Sequence, residues 1–556
     1  MHIARPTGAA AVPDAQGTNL YRADPAFARL LPLYLPADLR AVLEPQLDRL
    51  GALAGGALDA LAMTADRHPP ELQHRTRRGE DAQSIAYHPA YREMERLAFG
   101  EFGLAAMSHR AGVFGWPAPL PPAAKYALTF LFAQAEFGLL CPVSMTDSLA
   151  RTLRRYGAPA LVDRYLPLLT SQDLDVLHQG AMFMTEQGAG SDISATAVTA
   201  EPRNDGTHAL FGDKWFCSNP DAELALVLAR IPSGPAGLKG VGLFLLPRTL
   251  PDGTPNALRI VRLKEKLGTR SMASGEVRLE GARAWLIGDP EAGFRQMADM
   301  VNNSRLSNGV RAAGMMRRAV FEALHVARER VAFGRRLIEM PLMRRQLAKM
   351  LLRAEQARSM VFTTAEALRR SDAGEEAARP LLRILTPLLK YRACRDARQV
   401  VGDAMEVRGG CGYIAEWPEA KLLRDAHLGS IWEGTSNIVA LDVLRAAKRE
   451  GALEALTALV AERLAEAPLT GAAEAWDRAA ALVARAGEDE ALARAAAGAL
   501  YHLASAVAMN WEAARTQDAG RAALARMVLR HRVLPRDPLE AADPDAEALP
   551  AILAAA

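Results

Sequence analysis

Apolar residues recur at helical spacing over the first third of this chain. Between about Pro25 and Gln179, runs such as PADLRAVLEPQLDRLGALAGGALDALAM and AYREMERLAFGEFGLAAMSHRAG hold large apolar residues three and four positions apart. The period then changes. Between residues 181 and 290 come short β-like runs, ATAVTAE, ELALVLAR, VGLFLL, ALRIVRL and GEVRLEG, with PRNDGT, PSGPAG and PDGTPN as turns between them. Helical spacing returns after Phe294. It predicts one long helix over 295–336, a second over 341–371 that starts at Pro341, and a third over about 378–408. An Ala-rich helical stretch follows from Gly451 to Asp537 and ends in a tail rich in Pro and Asp. Residues 1–20 read as a loose arm. The fold class expected is mainly α with a central β domain. Its divisions are 1–180 (arm and helical domain), 181–292 (β domain), 293–450 (helical bundle) and 451–556 (helical extension). Without βαβ alternation, a Rossmann sheet is not expected.

Composition narrows the classes further. A chain of 556 residues is too long for one ordinary core. Its formal net charge of +3 gives no general attraction to nucleic acid or to an anionic membrane. Cys141, Cys217, Cys394 and Cys411 form no CxxC pair and read as buried thiols in a reducing compartment. The first residues lack the apolar stretch of a signal peptide, and no run is apolar for long enough to span a bilayer. A cytoplasmic location is the expectation.

Motifs for nucleotide, zinc and serine-hydrolase chemistry (GxGxxG, the P-loop, HExxH, GxSxG) are absent from the sequence. What stands out is IWEGTSNI, residues 431–438, with the carboxylate of Glu433 between a tryptophan and a glycine. Ile438, Leu441 and Leu444 recur at helical spacing after it, and Thr435, Ser436 and Asn437 are N-cap types. Glu433 is therefore expected on a tight turn before a helix. That helix's N-terminus would favour its charge, and burial beside Trp432 would oppose it.

Three further signals precede it in order. They are MTEQGAGSD at 184–192, FGDKWFCSN at 211–219 and RVAFG at 330–334; VRGGCGY at 407–413 then leads into the opening motif. With these in this order, the chain from about residue 80 to 448 resembles the acyl-CoA dehydrogenase family. GTNLYRADPAF, LCPVSMT, KWFCSNP, LMRRQLAKM and SIWEGTSNIVALDVLR extend the likeness, over nearly the whole chain, to the AidB (adaptive-response) branch. The resemblance implies a helical domain, a β-barrel-like domain and a four-helix bundle. It implies a bound FAD and a homotetramer built as a dimer of dimers.

Residue by residue, the resemblance makes Glu433 the base that removes the α-proton of an acyl-CoA while hydride leaves Cβ for flavin N5. Arg305 matches an arginine near that base. Met184 and Thr185 match residues at the flavin pyrimidine edge, with Ser191 in the same run. Phe216, Cys217 and Ser218 match residues on the isoalloxazine ring. Arg330 and Phe333 match residues that reach the adenosine diphosphate half from a neighbouring subunit. Glu406 stands where glutamine is common, Gly409 and Gly410 match a pair close to the same dinucleotide, and Thr435 and Asn437 match residues beside its diphosphate and ribityl chain. Ser304 occupies the position where some branched-chain enzymes carry their base, so a relocated base is not supported.

The AidB branch is associated with a basic, DNA-binding C-terminal region, and here this chain departs from it. Residues 451–556 hold ten arginines, no lysine and fifteen acidic residues, a net of −5, which disfavours a polyanion. The local exception is Arg515, Arg521, Arg526, Arg530, Arg532 and Arg536, against Asp518 and Asp537; Arg526 and Arg530 would share a helix face. A working dehydrogenase is thus the leading reading. An AidB-like flavoprotein acting through DNA comes second and a flavin oxidase third.

Overall fold

The computed structural model describes residues 12–535, 537, 539 and 544–556. Helices Pro25–Tyr34, Ala37–Ala54 and Ala57–Arg67 pack their leucine stripes inward, with Leu39, Leu43, Leu47 and Leu50 buried at i, i+4, i+8 and i+11. Pro122–Phe132 and Leu140–Tyr156 lie in the centre of the molecule. Pro122–Phe132 is apolar almost all round and buried throughout except at its first residue, and Leu140–Tyr156 is buried up to Ala150, with its arginines gathered at the C-terminal end. Within this helical region a hairpin, Glu71–Arg75 with Asp81–Ala86, departs from the all-helical expectation. ELQHR has no apolar alternation to announce a strand.

The β domain is a sheet of seven strands ordered Gly180–Phe183, His208–Ser218, Thr199–Pro202, Leu224–Arg230, Val241–Pro247, Ser274–Leu286 and Leu258–Leu263. Pairing of His208–Ser218 with Ser274–Leu286, and of Gly180–Phe183 with Leu224–Arg230, closes it into a barrel. The two-residue period decides what each strand touches. Leu224, Leu226 and Leu228 join the helical core, whereas Ala225, Val227 and Ala229 fill the barrel. This explains why LALVLAR reads as a continuous apolar run: both of its faces are covered.

Gly293–Glu329, Pro341–Asp372, Ala378–Arg408 and Ser436–Arg449 form the bundle. The first ends seven residues before the expected boundary at 336. Residues 330–336 instead make a tight hairpin, Val331–Ala332 on Arg335–Arg336, with Phe333 (φ +53) and Gly334 (φ +79) at its tip. Ala452–Glu466, Ala472–Ala486, Ala493–Thr516 and Ala519–Val528 form the extension. The helical stretch Glu490–Thr516 is long and apolar enough to cross a membrane by length and composition, contrary to expectation, but most of its apolar window is buried against the other helices. The tail also differs from expectation: Leu549–Ala555 is a helix against Pro341–Asp372, and the carbonyls of Leu553 and Ala556 accept from Arg328 and Arg317. The arm is not loose from Ala15 onward, since Leu20 is buried and Gly17 N–H donates to the Gly55 carbonyl at 2.6 Å.

A buried ion network ties these parts together. Asp24 caps the first helix through Phe27 N–H and meets Arg317 (2.8 Å) and Arg358 (2.6 Å) from two bundle helices. Arg358 also pairs with Glu355. Glu355 accepts from Arg521 at 2.6 Å, and Arg521 in turn holds Glu512, which accepts from Tyr34 at 2.7 Å. Burial alone would raise the Asp24 carboxyl, and the two guanidiniums outweigh it, holding it below its usual range. The stabilisation it brings is present above the usual carboxylate range and lost as pH falls through the lowered value. Asp24→Asn keeps a capping oxygen but removes the carboxylate paired with Arg317 and leaves Arg358 with Glu355 alone. We expect it to cost about 3–5 kcal/mol in urea unfolding at neutral pH; a change within error would show that the network does not hold the arm to the bundle.

Candidate functional site

The IWEGTSNI turn connects helix Pro418–Gly429 to helix Ser436–Arg449. Glu433 has φ +56 and Gly434 φ +101, so the chain reverses through left-handed backbone at the glutamate itself. Two cations hold the turn from behind. Arg305 Nε donates to the Glu433 carbonyl at 2.8 Å, and Lys390 Nζ donates to the Gly434 carbonyl. Arg305 is itself fixed by Asp442 at 2.8 Å and Asn302 at 3.1 Å. Its guanidinium thus acts on the backbone of Glu433, which makes it a positioning residue.

The Glu433 side chain is held at one oxygen only. Ser304 Oγ donates to Oε1, whereas Oε2 is buried with no hydrogen-bond partner. Trp432 stacks on Phe137 with ring centroids 5.8 Å apart and planes at 17°, which closes the side next to the carboxylate with aromatic surface. Two buried amines flank the region. Burial pushes Lys390 down to about 8, and it pushes Lys266 down to about 8 as well. The Cys141 thiol, pushed up to about 11 mainly by burial, feels Arg311, Glu433 and Lys266 and touches Ser218. The barrel and the bundle therefore meet around one small volume.

On the barrel side, the 184–192 run leaves strand Gly180–Phe183. Lys214 Nζ, fully buried, pairs with Glu186 at 2.6 Å, and Glu186 also accepts from Ala197 N–H at 2.7 Å. This pins a loop whose Gly188 and Gly190 face open space. Met184 and Thr185 are half-buried there, the Thr185 carbonyl accepting from Trp215 N–H at 2.8 Å, and Ser191 is exposed. Phe216 is 57% exposed and Ser218 is half-buried on the same side of the strand. Cys217 is a correction: the two-residue period turns it into the barrel core, fully buried, so it cannot pack on a ring lying over Phe216.

The remaining predicted residues fall into two groups. Arg330 Nη1 donates to the Arg408 carbonyl at 3.2 Å and lies 3.5 Å from where a Cβ on Gly409 (φ +75) would stand, so Arg330, Gly409 and Gly410 come together. Phe333, at the hairpin tip, is 97% exposed, and Glu406 is an exposed carboxylate. Thr435 and Asn437 are exposed at the N-terminus of helix Ser436–Arg449, where free N–H groups suit an anion. Sequence reasoning missed Lys214, Glu186, Lys390 and the bond from Ser304. Glu186 and Lys214 lie inside the MTEQGAGSD and FGDKWFCSN runs without their pairing being legible, and Lys390 left a trace as a lysine inside the apolar run LLKY. It also missed a basic depression of about 300 Å³ lined by Arg395, Arg398, Gln399 and His427, beside Ser430 and Ser436.

The C-terminal arginines are largely engaged. Arg521 is buried between Glu355 and Glu512, Arg515 bridges to Glu466 at 2.5 Å and Arg530 pairs with Asp545. Burial and neighbouring charges hold Arg532 below its ordinary value, Arg526 is exposed, and Arg536 lies outside the described residues.

Comparison with known proteins agrees across the chain. The model for the AidB N-terminal domain of the adaptive response protein matches residues 10–176, that for the acyl-CoA dehydrogenase middle domain 181–282, and that for the acyl-CoA dehydrogenase C-terminal domain 291–448. The AidB protein of Escherichia coli (strain K12) is 35% identical over 448 residues, 78% of this chain and 79% of that one. Acyl-CoA dehydrogenase family member 11 of Caenorhabditis elegans is 32% identical over 437 residues, 77% of this chain and 70% of that one. The structure of the C. elegans protein ACDH-11 in complex with C11-CoA superposes with a TM-score of 0.88 at 27% identity, covering 97% of this chain and 95% of that one.

The geometry of the turn carries its own test. A Cβ on Gly434 would stand 3.1 Å from Val439 Cγ2 and 3.2 Å from Arg305 Nη2, at a φ of +101. Gly434→Ala is expected to cost about 1–2 kcal/mol in urea unfolding; unchanged stability would mean the turn is not constrained as described.

Proposed function

This chain belongs to the acyl-CoA dehydrogenase family, in its AidB branch, and from that premise we propose an FAD-dependent enzyme that desaturates the acyl group of a CoA thioester between Cα and Cβ. It is an oxidoreductase of a family that acts on CH–CH groups. The observation that carries the reading is the carboxylate of Glu433, tethered at Oε1 and unpartnered at a buried Oε2.

The residues present fit the cofactor. Phe216 offers a flat apolar surface, and Met184 and Thr185 offer a pinned, accessible backbone edge. Arg330 with Gly409 and Gly410, and the helix start at Thr435 and Asn437, suit a diphosphate. Glu406 cannot donate as a glutamine would, so it adds least. When bound, the flavin accepts the hydride that leaves Cβ.

The chain's own residues supply the rest. Glu433 Oε2 takes the α-proton, and Ser304 keeps the other oxygen from rotating into its place. Arg305 and Lys390 fix the backbone on either side, so the carboxylate need not be organised after the substrate arrives. Trp432 and Phe137 exclude water from the reacting carbons.

The assembly proposed is a cytoplasmic homotetramer. The exposed Phe333 at 97% and Tyr413 at 81%, with Leu342 and Ile431, are large apolar side chains near the residues assigned to the dinucleotide, which suits contact with a second copy. Free thiols at all four cysteines suit a reducing compartment. DNA is disfavoured in this reading, because three arginines of the C-terminal cluster, Arg515, Arg521 and Arg530, already meet carboxylates.

The purified protein is expected to carry FAD and to lose its flavin colour anaerobically with at least one member of a panel of straight and branched acyl-CoAs. FAD-loaded protein that no thioester bleaches would contradict the reading. Ser304→Ala is expected to lower kcat/KM by about tenfold with flavin content unchanged; undiminished kcat/KM would remove the role given to Ser304.

A further inference from the structure

One face of helix Gly293–Glu329 presents Ser304, Asn308 and Arg311 at i, i+4 and i+7 to the Gly429–Glu433 turn. Ser304 holds Glu433, and Asn308 Nδ2 donates to the Gly429 carbonyl at 3.2 Å. Arg311 has no such match. It is fully buried, and its guanidinium lies 5.0 Å from the Phe137 ring centroid and 4.9 Å from that of Trp432. Among the described residues its guanidinium makes one long hydrogen bond, from Nε to the Ser307 carbonyl at 3.4 Å, and Nη1 and Nη2 are both buried without a partner. The Trp432 indole N–H is buried without an acceptor too.

Stacking on two rings offsets part of the cost of burying a cation, and it leaves the N–H groups unanswered. Most other buried arginines of this chain are treated differently; the exceptions are Arg353, 3.6 and 3.7 Å from Asp396 and Asp403, and Arg463, which bonds Thr363. Arg317, Arg318, Arg358, Arg408 and Arg521 each face at least one carboxylate within hydrogen-bonding distance. An unpaired guanidinium beside an unpaired indole N–H is a set of donors lacking an anion. Arg311 and Glu433 both act on the buried thiols of Cys141 and Cys394, so these donors lie within electrostatic reach of the base.

We propose that Arg311 selects the substrate, and that the preferred acyl group carries a carboxylate at its far end, received by Arg311 and the Trp432 indole N–H. The thioester end then faces Glu433 and the distal carboxylate supplies the missing counter-charge. This rests on the acyl-CoA reading above. A neutral acyl chain would bury methyl groups against an unpaired cation, which disfavours it.

The test is calorimetric binding of matched CoA thioesters to the flavin-loaded protein: butyryl-, valeryl- and hexanoyl-CoA against succinyl-, glutaryl- and adipoyl-CoA. In at least one pair the carboxylated member is expected to bind about tenfold more tightly. Arg311→Met, which replaces a buried cation with an apolar chain, should retain fold and flavin and reverse that preference. Equal or weaker binding of the carboxylated member in every pair would overturn the proposal while leaving the acyl-CoA reading intact. A preference that survives in Arg311→Met would overturn the assignment to Arg311. Absence of binding by all six would remove the acyl-CoA reading, and this proposal with it.

Discussion

A glutamate at φ +56 is the constraint on which the site depends. Left-handed backbone costs a side-chain-bearing residue about 1–2 kcal/mol, and it persists only where its surroundings impose it. Here the surroundings are two cations on two helices. Arg305 holds the Glu433 carbonyl and Lys390 the Gly434 carbonyl, so both peptide units of the turn are fixed from outside. A relaxed turn would let the side chain follow the backbone to the surface. The imposed one points the carboxylate toward Ser304 and leaves Oε2 dry and unpartnered.

That turn needs a rigid frame, and the frame is ionic as well as apolar. Asp24, Arg317, Arg358, Glu355, Arg521 and Glu512 come from the arm, two bundle helices and the extension. Removing one member takes a counter-charge from a buried partner, which is costlier than losing a surface pair. The same network changes the meaning of the C-terminal arginines. Arg521, one of six that looked like a phosphate-binding group in sequence, is a fully buried strut.

Much of this was legible in the chain. The change from helical spacing to short apolar runs and back marks where the barrel lies, because the period reflects which faces are covered. Pro341 and the Gly409–Gly410 pair bound two bundle helices closely. Short polar strands were not legible: Glu71–Arg75 has no apolar alternation, and the hairpin after Glu329 has strands of two residues. The helix Leu549–Ala555 was hidden behind a Pro- and Asp-rich stretch that predicts none. At the site, Glu433 stood out because its neighbours form a motif. The contacts of Ser304, Lys390 and Lys214 did not, because tertiary packing decides which partner a serine or lysine in a helix or strand meets. Cys217 was misread because the motif gives residue types, whereas the strand's alternation decides which way each one faces.

The central claim is that Glu433 Oε2 takes the α-proton, and proton exchange tests it without requiring the full reaction. The flavin-loaded protein is incubated anaerobically in deuterated water with an acyl-CoA that it binds, and deuterium at Cα is followed by mass spectrometry. The account predicts deuterium incorporation by the wild type, and none above background by Glu433→Gln with FAD and thioester still bound. Exchange at the wild-type rate in Glu433→Gln would place the base elsewhere and contradict the account.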